Sequence, residues 1–200
     1  MIDLNSIPKS ENDQLLNKWG YDLLEEYYRF ISSADFSPDN LILDIATGTG
    51  RAVSILSRMG CNVITGDSSF EIKHESEKRI TEEHISKVRF IKLNLEKIPF
   101  PDKSIGNIVC LNTIHELENP ITCLNEIVRV YSGKGKIVIA DFNDKGYDVM
   151  DKLHTKRYGK LHRRGNISQK QLRNFIHEFY CNITEINTKL NAGYIITDYE

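Results

Sequence analysis

The sequence is short of cysteine and of net charge and has no long apolar run, and each shortage excludes a class of protein. No apolar stretch approaches the ~20 residues of a membrane-spanning helix, so no membrane span is expected. Lys and Arg total 26 against 28 Asp and Glu, a balance that argues against nucleic acid as a partner. No metal site is expected, because no zinc-type spacing with histidine joins the cysteines, which are Cys61, Cys110, Cys123 and Cys181.

The length of 200 residues suffices for one domain with its own apolar core, and we predict a single domain over residues 1–200. The chain starts with MIDLNSIPKSENDQ, which is polar and mixed in charge, unlike a secretory signal. Together with the unpaired thiols, this pattern predicts a cytoplasmic protein. Nothing in the composition indicates an oligomeric state.

Short apolar segments alternate with helical patterns through the middle of the chain. This alternation is typical of an α/β fold, in which helices cover both faces of a parallel sheet. The predicted strands are 41–46, 62–67, 88–95, 104–112 and 136–142, and the predicted helices between them are 50–59, 69–85 and 119–131.

The two ends of the chain depart from this alternation. Aromatic residues at helical spacing predict one amphipathic helix over residues 13–33, within an N-terminal helical cap of residues 1–36. After the fifth strand the pattern predicts an irregular basic segment and then a helix, followed by two strands that form a closing hairpin around Asn191-Ala192-Gly193. These elements are 145–167, 168–179, 182–190 and 194–199.

The stretch LILDIATGTGRAVSIL, residues 41–56, predicts a strand, a tight turn and a helix. Small residues in such a turn let the backbone approach a nucleotide-like ligand. A dinucleotide loop needs a third glycine three residues after the second, and this chain has Val53 there. The loop therefore favours a cofactor without a pyrophosphate, and a nicotinamide-dependent reductase is the weaker alternative.

The series Asp44-x-Ala46-x-Gly48-x-Gly50 resembles motif I of the class I S-adenosylmethionine-dependent methyltransferases, with Ala46 where a glycine is usual. We expect Ala46 to keep a negative φ. At Gly50 we expect that a side chain would either collide with the cofactor or strain the turn. Asp67 follows Asp44 by 23 residues, where such folds place an acid on the ribose hydroxyls. NLEKIPFPDKS, LNTIHELENP and EIVRVYSGKGKIVIADF resemble further motifs of the type 11, ubiquinone-biosynthesis-like branch.

The resemblance implies a Rossmann-like sheet of seven strands in the order 3-2-1-4-5-7-6, with strand 7 antiparallel and helices on both faces. It also implies S-adenosyl-L-methionine as the cofactor, with Asn94 bonded to the adenine amino group and the backbone N–H of Leu95 donating to the ring. The implied cofactor-binding residues are Asp44, Ala46, Thr47, Gly48, Gly50, Asp67, Ser68, Asn94, Leu95, Leu111 and Asn112.

The implied activity is methyl transfer to a small-molecule acceptor by in-line displacement. Since a sulfonium methyl is already activated, the protein mainly has to orient the reactants, which can lower a barrier by ~7–11 kcal/mol. A general base is needed only when the acceptor arrives protonated. His115 and Glu116 are the candidates, because they follow the fourth strand at the ligand-binding edge; the alternative is a satisfied turn pair.

Two features leave alternatives open. Gly106 stands where the related motif has an acid at the start of strand four, which keeps open a protein that binds S-adenosylmethionine without catalysis. Residues 145–170 contain eight Lys or Arg against two Asp. This charge predicts either a solvated loop or a surface on the acceptor side, where Arg163 and Arg164 recognise an anionic acceptor.

Overall fold

A computed structural model describes residues 2–69 and 71–197 of the chain. A seven-stranded sheet has the order β3-β2-β1-β4-β5-β7-β6, and β7 pairs antiparallel with both β5 and β6. The predicted fold class, strand order and antiparallel strand are thereby confirmed. The strands are β1 Leu41–Ile45, β2 Asn62–Asp67, β3 Val88–Lys92, β4 Asn107–Leu111, β5 Lys136–Phe142, β6 Ile183–Asn187 and β7 Asn191–Thr197.

Helices cover both faces of the sheet, because successive strand residues point to opposite sides. The helices are α1 Glu11–Lys18, α2 Leu23–Ser33, α3 Arg51–Arg58, α4 Ile72–Glu77, α5 Glu82–Ile85, α6 Pro120–Val130, α7 Asp144–Tyr158 and α8 Gln169–Phe179. Ile42 and Val63 pack with α2 and α3, whereas Leu43 and Ile108 pack with α6 and α8. A third apolar cluster joins α1 and α7.

The prediction of a single helix over residues 13–33 is wrong, because two helices form there and the residues between them, from Trp19 to Asp22, are not helical. Gly20 has a φ of +81°, a left-handed conformation that ends α1. Asp22 then caps α2, accepting a hydrogen bond from the backbone N–H of Leu24 at 2.9 Å. α1 and α2 are therefore two separate helices.

The prediction of an irregular segment over residues 145–167 is also wrong, since most of it forms α7. The side chain of Asn143 caps the helix by accepting from the N–H of Gly146 at 2.9 Å, and Gly159 ends it with a φ of +68°. α7 has a short apolar stripe that includes Met150 and Leu153, and the many charged residues around it make the helical pattern hard to recognise in the sequence. This stripe packs on α1.

Two smaller predictions also need correction. The helix expected over residues 69–85 is two short helices, α4 and α5, separated by a turn that contains buried Ile80. The final turn lies at residues 188–190, and Asn191-Ala192-Gly193 belong to β7. Residues 198 and 199 of the predicted last strand lie outside the described residues.

Within the described part of the chain, every helix is too short or too polar to cross a bilayer.

Candidate cofactor and acceptor site

A cleft of about 430 Å³ opens at the edge where β1, β2 and β4 end. Carboxyl ends of parallel strands are where ligands bind in such sheets. Gly50 and Asn94 do not line the cleft. The predicted residues that line it are Asp44, Ala46, Thr47, Gly48, Asp67, Ser68, Leu95, Leu111 and Asn112.

The first position of the glycine series adopts an unexpected conformation. Ala46 has a φ of +62°, so the expectation of a negative φ is wrong. The cause is a sharp turn after β1, which lets the N–H of Thr47 donate to Gly66 O at 2.9 Å. The left-handed conformation costs a residue with a Cβ about 1–2 kcal/mol, and such strain is typical of functional sites.

The two glycines of the series serve different purposes. A Cβ built on Gly48 would have only one neighbour within 4 Å, at 3.8 Å, so the loop backbone is open to a ligand there. A Cβ built on Gly50 would lie 2.7 Å from the Cβ of Ser76, at a φ of +82°. Gly50 is therefore required by the left-handed turn and by packing against α4, which agrees with the expectation that a side chain there would strain the turn.

Asp67 ends β2 with its carboxylate facing the glycine loop. Its Oδ2 accepts a hydrogen bond from the N–H of Gly48 at 3.1 Å, and its Oδ1 accepts from the hydroxyl of Ser68 at 3.3 Å. The N–H of Ser69 also reaches Oδ1, at 3.5 Å. A carboxylate has about four acceptor positions, so one on Oδ2 is open, and the two long bonds to Oδ1 can give way to a ligand hydroxyl. The geometry suits an acid that binds a diol.

Asp44 is a buried acid at the end of a chain of hydroxyls. Thr65 donates to its Oδ2 at 2.7 Å, and Thr47 lies 2.6 Å from Thr65. Burial raises the pKa of Asp44 to about 7, and the charge of Asp67 adds to the shift while Thr65 opposes it. A cationic group in the cleft would stabilise the ionised form of this carboxyl.

The raised pKa of Asp44 predicts a specific pH dependence of stability. Between its ordinary pKa near 3.8 and about 7, the folded state keeps a proton that the unfolded state has lost, so stability falls as pH rises. We expect Asp44→Asn to remove this term and to gain about 2–4 kcal/mol relative to the wild type between about pH 4.5 and 7.5. Urea denaturation of both proteins at about pH 4.5 and 7.5 measures this difference in the free energy of unfolding. The same change with pH in both proteins would contradict the prediction.

Asn112 follows β4 at the boundary between the cleft and a second cavity. Its φ is +52°, and its Oδ1 accepts from the side chain of Asn191 at 2.8 Å. Its Nδ2 is buried without a hydrogen-bond partner among the described residues. A buried donor without a partner is costly, so it indicates a ligand that accepts from Asn112.

Asn94 has a different environment from the one that the resemblance implies. Its side chain is exposed and accepts from the N–H of Glu96 at 2.9 Å, closing a local turn. The neighbouring Leu95 is buried and lines the cleft. Of this pair, only Leu95 faces the cofactor region.

The second cavity, of about 150 Å³, adjoins the cleft and shares five lining residues with it. Tyr27 stands at the junction, where its hydroxyl donates to Leu111 O at 3.2 Å. Sequence reasoning missed this cavity, because its walls come from distant segments. The shared residues are Tyr27, Thr49, Arg51, Asn112 and Glu116. The rest of the polar lining is Asn12, His115, His154 and His162.

The predicted candidate His115 is fully buried and rigidly held by Asp141 of β5. Its Nδ1 lies 2.5 Å from Asp141 Oδ1, and its backbone N–H donates to Asp141 Oδ2 at 2.8 Å. Burial opposes the imidazolium form, but the carboxylates of Asp141 and Glu116 outweigh it and raise the pKa of His115 to about 9. The only sequence signal for Asp141 is an acid inside an otherwise apolar strand.

His162 extends this arrangement across the cavity wall. Its Nε2 lies 2.9 Å from the Nε2 of His115, and its Nδ1 lies 3.2 Å from the Nε2 of His154. Burial lowers the pKa of His162 to about 4, with the two neighbouring imidazoles adding to the effect. The sequence places these residues in the basic segment, where nothing distinguished them from solvent-exposed histidines.

A buried ion-pair network fastens α1 to the glycine loop. The carboxylate of Asp13 accepts from Arg51 at 2.7 Å and from Arg79 at 2.5 Å. Arg79 also donates to Thr49 O at 2.7 Å and to Pro8 O at 2.8 Å. Burial opposes the charge of Asp13, but the two guanidinium groups outweigh it and hold its pKa below the usual range.

The position of Gly106 bears on whether the site is catalytic. Gly106 precedes β4, and a Cβ there would lie 2.9 Å from Lys134 O, beside the start of β5. The next residue, Asn107, donates to Leu41 O at the start of β1. These are the amino ends of the strands, opposite the cleft, so the missing acid removes nothing from the cleft.

Comparison with known proteins agrees with this geometry. A family model described as a methyltransferase domain matches residues 43–139, which span the glycine loop, Asp67 and Asn112. The match covers just under half of the chain, and over these residues the chain is similar to type 11 methyltransferase domains. A match to a methyltransferase model supports S-adenosylmethionine as the cofactor and gives no support to the nicotinamide alternative.

This chain spans about half the length of the curated relatives that it matches. The demethylmenaquinone methyltransferase of Clavibacter sepedonicus is 28% identical over 115 residues, 54% of this chain and 46% of that protein. The ubiquinone/menaquinone biosynthesis C-methyltransferase UbiE of Shewanella sediminis is 26% identical over 128 residues, 62% of this chain and 51% of that protein.

Several solved structures share the fold of this chain over most of its length. A SAM-dependent methyltransferase from Aquifex aeolicus is similar with a TM-score of 0.65 and 18% identity, covering 86% of this chain and 90% of that one. The [4+2]-cyclase SpnF is similar with a TM-score of 0.63 and 14% identity, covering 83% of this chain and 60% of that one. Because a cyclase has the same fold, the fold alone does not decide the reaction.

Proposed function

We propose that this chain is an S-adenosylmethionine-dependent methyltransferase and that its acceptor is a small molecule in the second cavity. The observation that carries the proposal is the continuity of the two spaces. The motif I cleft and the histidine-lined cavity share residues, among them Asn112 and Glu116. A methyl donor and an acceptor can therefore meet where the two spaces join.

Three features of the cleft fit S-adenosylmethionine, which supplies an activated sulfonium methyl when bound. Its volume of about 430 Å³ lies within the range of cofactor pockets. The raised pKa of Asp44 favours a cationic ligand, because a cation stabilises the carboxylate. The buried Nδ2 of Asn112 offers a donor to an acceptor atom of the ligand.

Within this proposal the residues have separate roles. Asp67 accepts the two ribose hydroxyls, and the backbone of Leu95 contacts the adenine edge. Because the side chain of Asn94 is already bonded to the N–H of Glu96, we assign it no adenine contact. His115 is the candidate that contacts the acceptor, since Asp141 fixes its ring with Nε2 toward the cavity wall, and its raised pKa makes it a poor proton acceptor near neutral pH.

The acceptor is proposed as a small organic molecule that presents one nucleophilic atom to the cleft. The names of two relatives point to a quinone-type ring. However, His154 and His162 lie beyond residue 139, where the family match ends, so the match does not extend to this wall of the second cavity. A cytoplasmic location stays a prediction.

An anionic acceptor is not required by this proposal. The described lining of the second cavity includes Arg51 but no Lys or Arg of the basic segment. Arg164 is paired with Asp151 at 2.6 Å, and Lys152 lies over the ring of Trp19 at 4.3 Å. These cations are engaged in packing the cap and the loop after α7.

Calorimetry with three ligands tests the proposal. We expect S-adenosylhomocysteine and S-adenosylmethionine to bind at one site per chain and NAD to show no heat of binding. A panel of small metabolites should then identify an acceptor through release of S-adenosylhomocysteine. Binding of NAD in place of S-adenosylhomocysteine would overturn the assignment of the cofactor.

Asp67→Ala tests the ribose contact. We expect a loss of about 1.5–3 kcal/mol in S-adenosylhomocysteine affinity, because two hydroxyls lose a charged acceptor. Asp102→Ala is the matched control, since Asp102 pairs with Arg129 on the surface. Both variants should melt cooperatively. An unchanged affinity in folded Asp67→Ala removes this residue from the site.

A further inference from the structure

We propose that His115, His162 and Glu116 bind one divalent transition-metal ion of the zinc type in the wall of the second cavity. One donor atom from each residue lies within 4.8 Å of the other two. The sequence predicted no metal site, because that expectation rested on spacing along the chain. His162 is 47 residues from His115 and reaches it only through the fold.

The donor separations suit a single ion. The Nε2 atoms of His115 and His162 are 2.9 Å apart, and His115 Nε2 is 3.7 Å from Glu116 Oε1. Donors bound to zinc at about 2.0–2.2 Å with tetrahedral angles lie about 3.4 Å from one another. The observed separations lie on either side of that value, so small side-chain rotations bring all three donors to one point.

The second nitrogen of each imidazole is already engaged by an outer partner. Asp141 is 2.5 Å from the Nδ1 of His115, and His154 is 3.2 Å from the Nδ1 of His162. Metal-binding histidines typically donate their other ring N–H in this way, which fixes the ring orientation. Both remaining nitrogens, the Nε2 atoms, therefore face the same point beside Glu116.

The loop that carries His162 is fixed to His115 by close backbone packing. Gly165 has a φ of +74°, and a Cβ there would lie 2.2 Å from His115 O, so only glycine fits. Asp151 accepts from the backbone N–H of His162 at 2.9 Å and from Arg164 at 2.6 Å. Such support keeps metal ligands in position before the ion binds.

Two histidines and a glutamate form a donor set of catalytic zinc sites, which keep a fourth position for water or substrate. Glu116 borders both the cleft and the second cavity, so that position faces the acceptor. This role rests on the proposed function and selects acceptors with a hydroxyl or thiol. The bound heteroatom loses its proton to solvent and bonds to the methyl carbon, while the electrons of the broken carbon–sulfur bond stay on sulfur.

Metal binding by the full chain tests the site directly. After removal of metal with a chelator, we expect dialysis against Zn²⁺ or Co²⁺ to restore one ion per chain. Bound Co²⁺ should give the intense visible absorption of four- or five-coordinate cobalt. His162→Ala should lower the Zn²⁺ affinity about 100-fold, and Asp141→Asn about 10–100-fold. His177→Ala, at an exposed histidine paired with Glu185, should leave the affinity unchanged.

Cooperative melting and S-adenosylhomocysteine binding are measured on every variant, with His162→Gln replacing His162→Ala if the latter does not fold. Binding of S-adenosylhomocysteine without a stoichiometric metal ion overturns the metal site and leaves the proposed function standing. The cluster is then a chain of hydrogen-bonded imidazoles. Metal binding without S-adenosylhomocysteine binding overturns the proposed function alone. An affinity in the His162 variant equal to that of the wild type also overturns the metal site.

Discussion

Gly50→Ala should lower the free energy of unfolding by about 3–5 kcal/mol, from left-handed strain together with overpacking. The added Cβ would meet the Cβ of Ser76 at 2.7 Å and its Cα at 2.8 Å. A backbone atom cannot rotate away as a long side chain can, so α4 has to shift. Urea denaturation of the protein without ligand measures the loss.

Gly20→Ala is the matched control for this prediction. Gly20 has nearly the same φ, +81°, but a Cβ there would have no neighbour within 4 Å. Only the left-handed strain remains, so we expect a loss of about 1–2 kcal/mol. Equal losses in the two variants would show that contact with Ser76 is unimportant.

Asp13→Ala should lower the free energy of unfolding by about 3–5 kcal/mol, because it leaves two buried guanidinium groups without their carboxylate. Asp13 is the carboxylate partner of both Arg51 and Arg79. Since folding lowers the pKa of Asp13, its contribution is present above the ordinary value near 3.8 and is lost as pH falls below it. Denaturation at about pH 7 and pH 3 measures both effects.

The surface pair of Asp102 and Arg129 supplies the comparison. Asp102 is 76% exposed, so Asp102→Ala should cost less than about 1 kcal/mol. We also expect Asp13→Ala to weaken S-adenosylhomocysteine binding, because Arg79 then holds Thr49 less firmly. A loss in Asp13→Ala no larger than that of the surface variant contradicts the network's role.

The parts of the fold that the sequence predicted well are those in which local pattern and packing agree. The segment from Leu41 to Asp67 shows this, since apolar runs, small turn residues and a terminal acid all indicate strand, turn, helix and strand. Helix α7 was missed because its apolar stripe is narrow and its surface is rich in lysine. Ala46 was misjudged because the pairing of Thr47 with β2 determines its φ.

The candidate site also has one part that the sequence predicts and one part that it does not. The cleft residues Asp44 and Asp67 belong to one continuous segment, and motif spacing is enough to find them. The acceptor cavity combines His115, Asp141 and His162, which meet only when α7 and its following loop pack on the sheet. No local spacing encodes that meeting, so a metal-type donor set was invisible in the sequence.

The placement of β7 between β5 and β6 has a consequence for biosynthesis. The ribosome releases residues 27–117, which contain the whole lining of the cofactor cleft, well before the hairpin of β6 and β7. Until residues 191–197 emerge, β5 presents an unpaired strand edge, which is a template for aggregation. The nascent chain therefore completes a nucleotide-type cleft first, and its most vulnerable period is the interval before the last strand inserts.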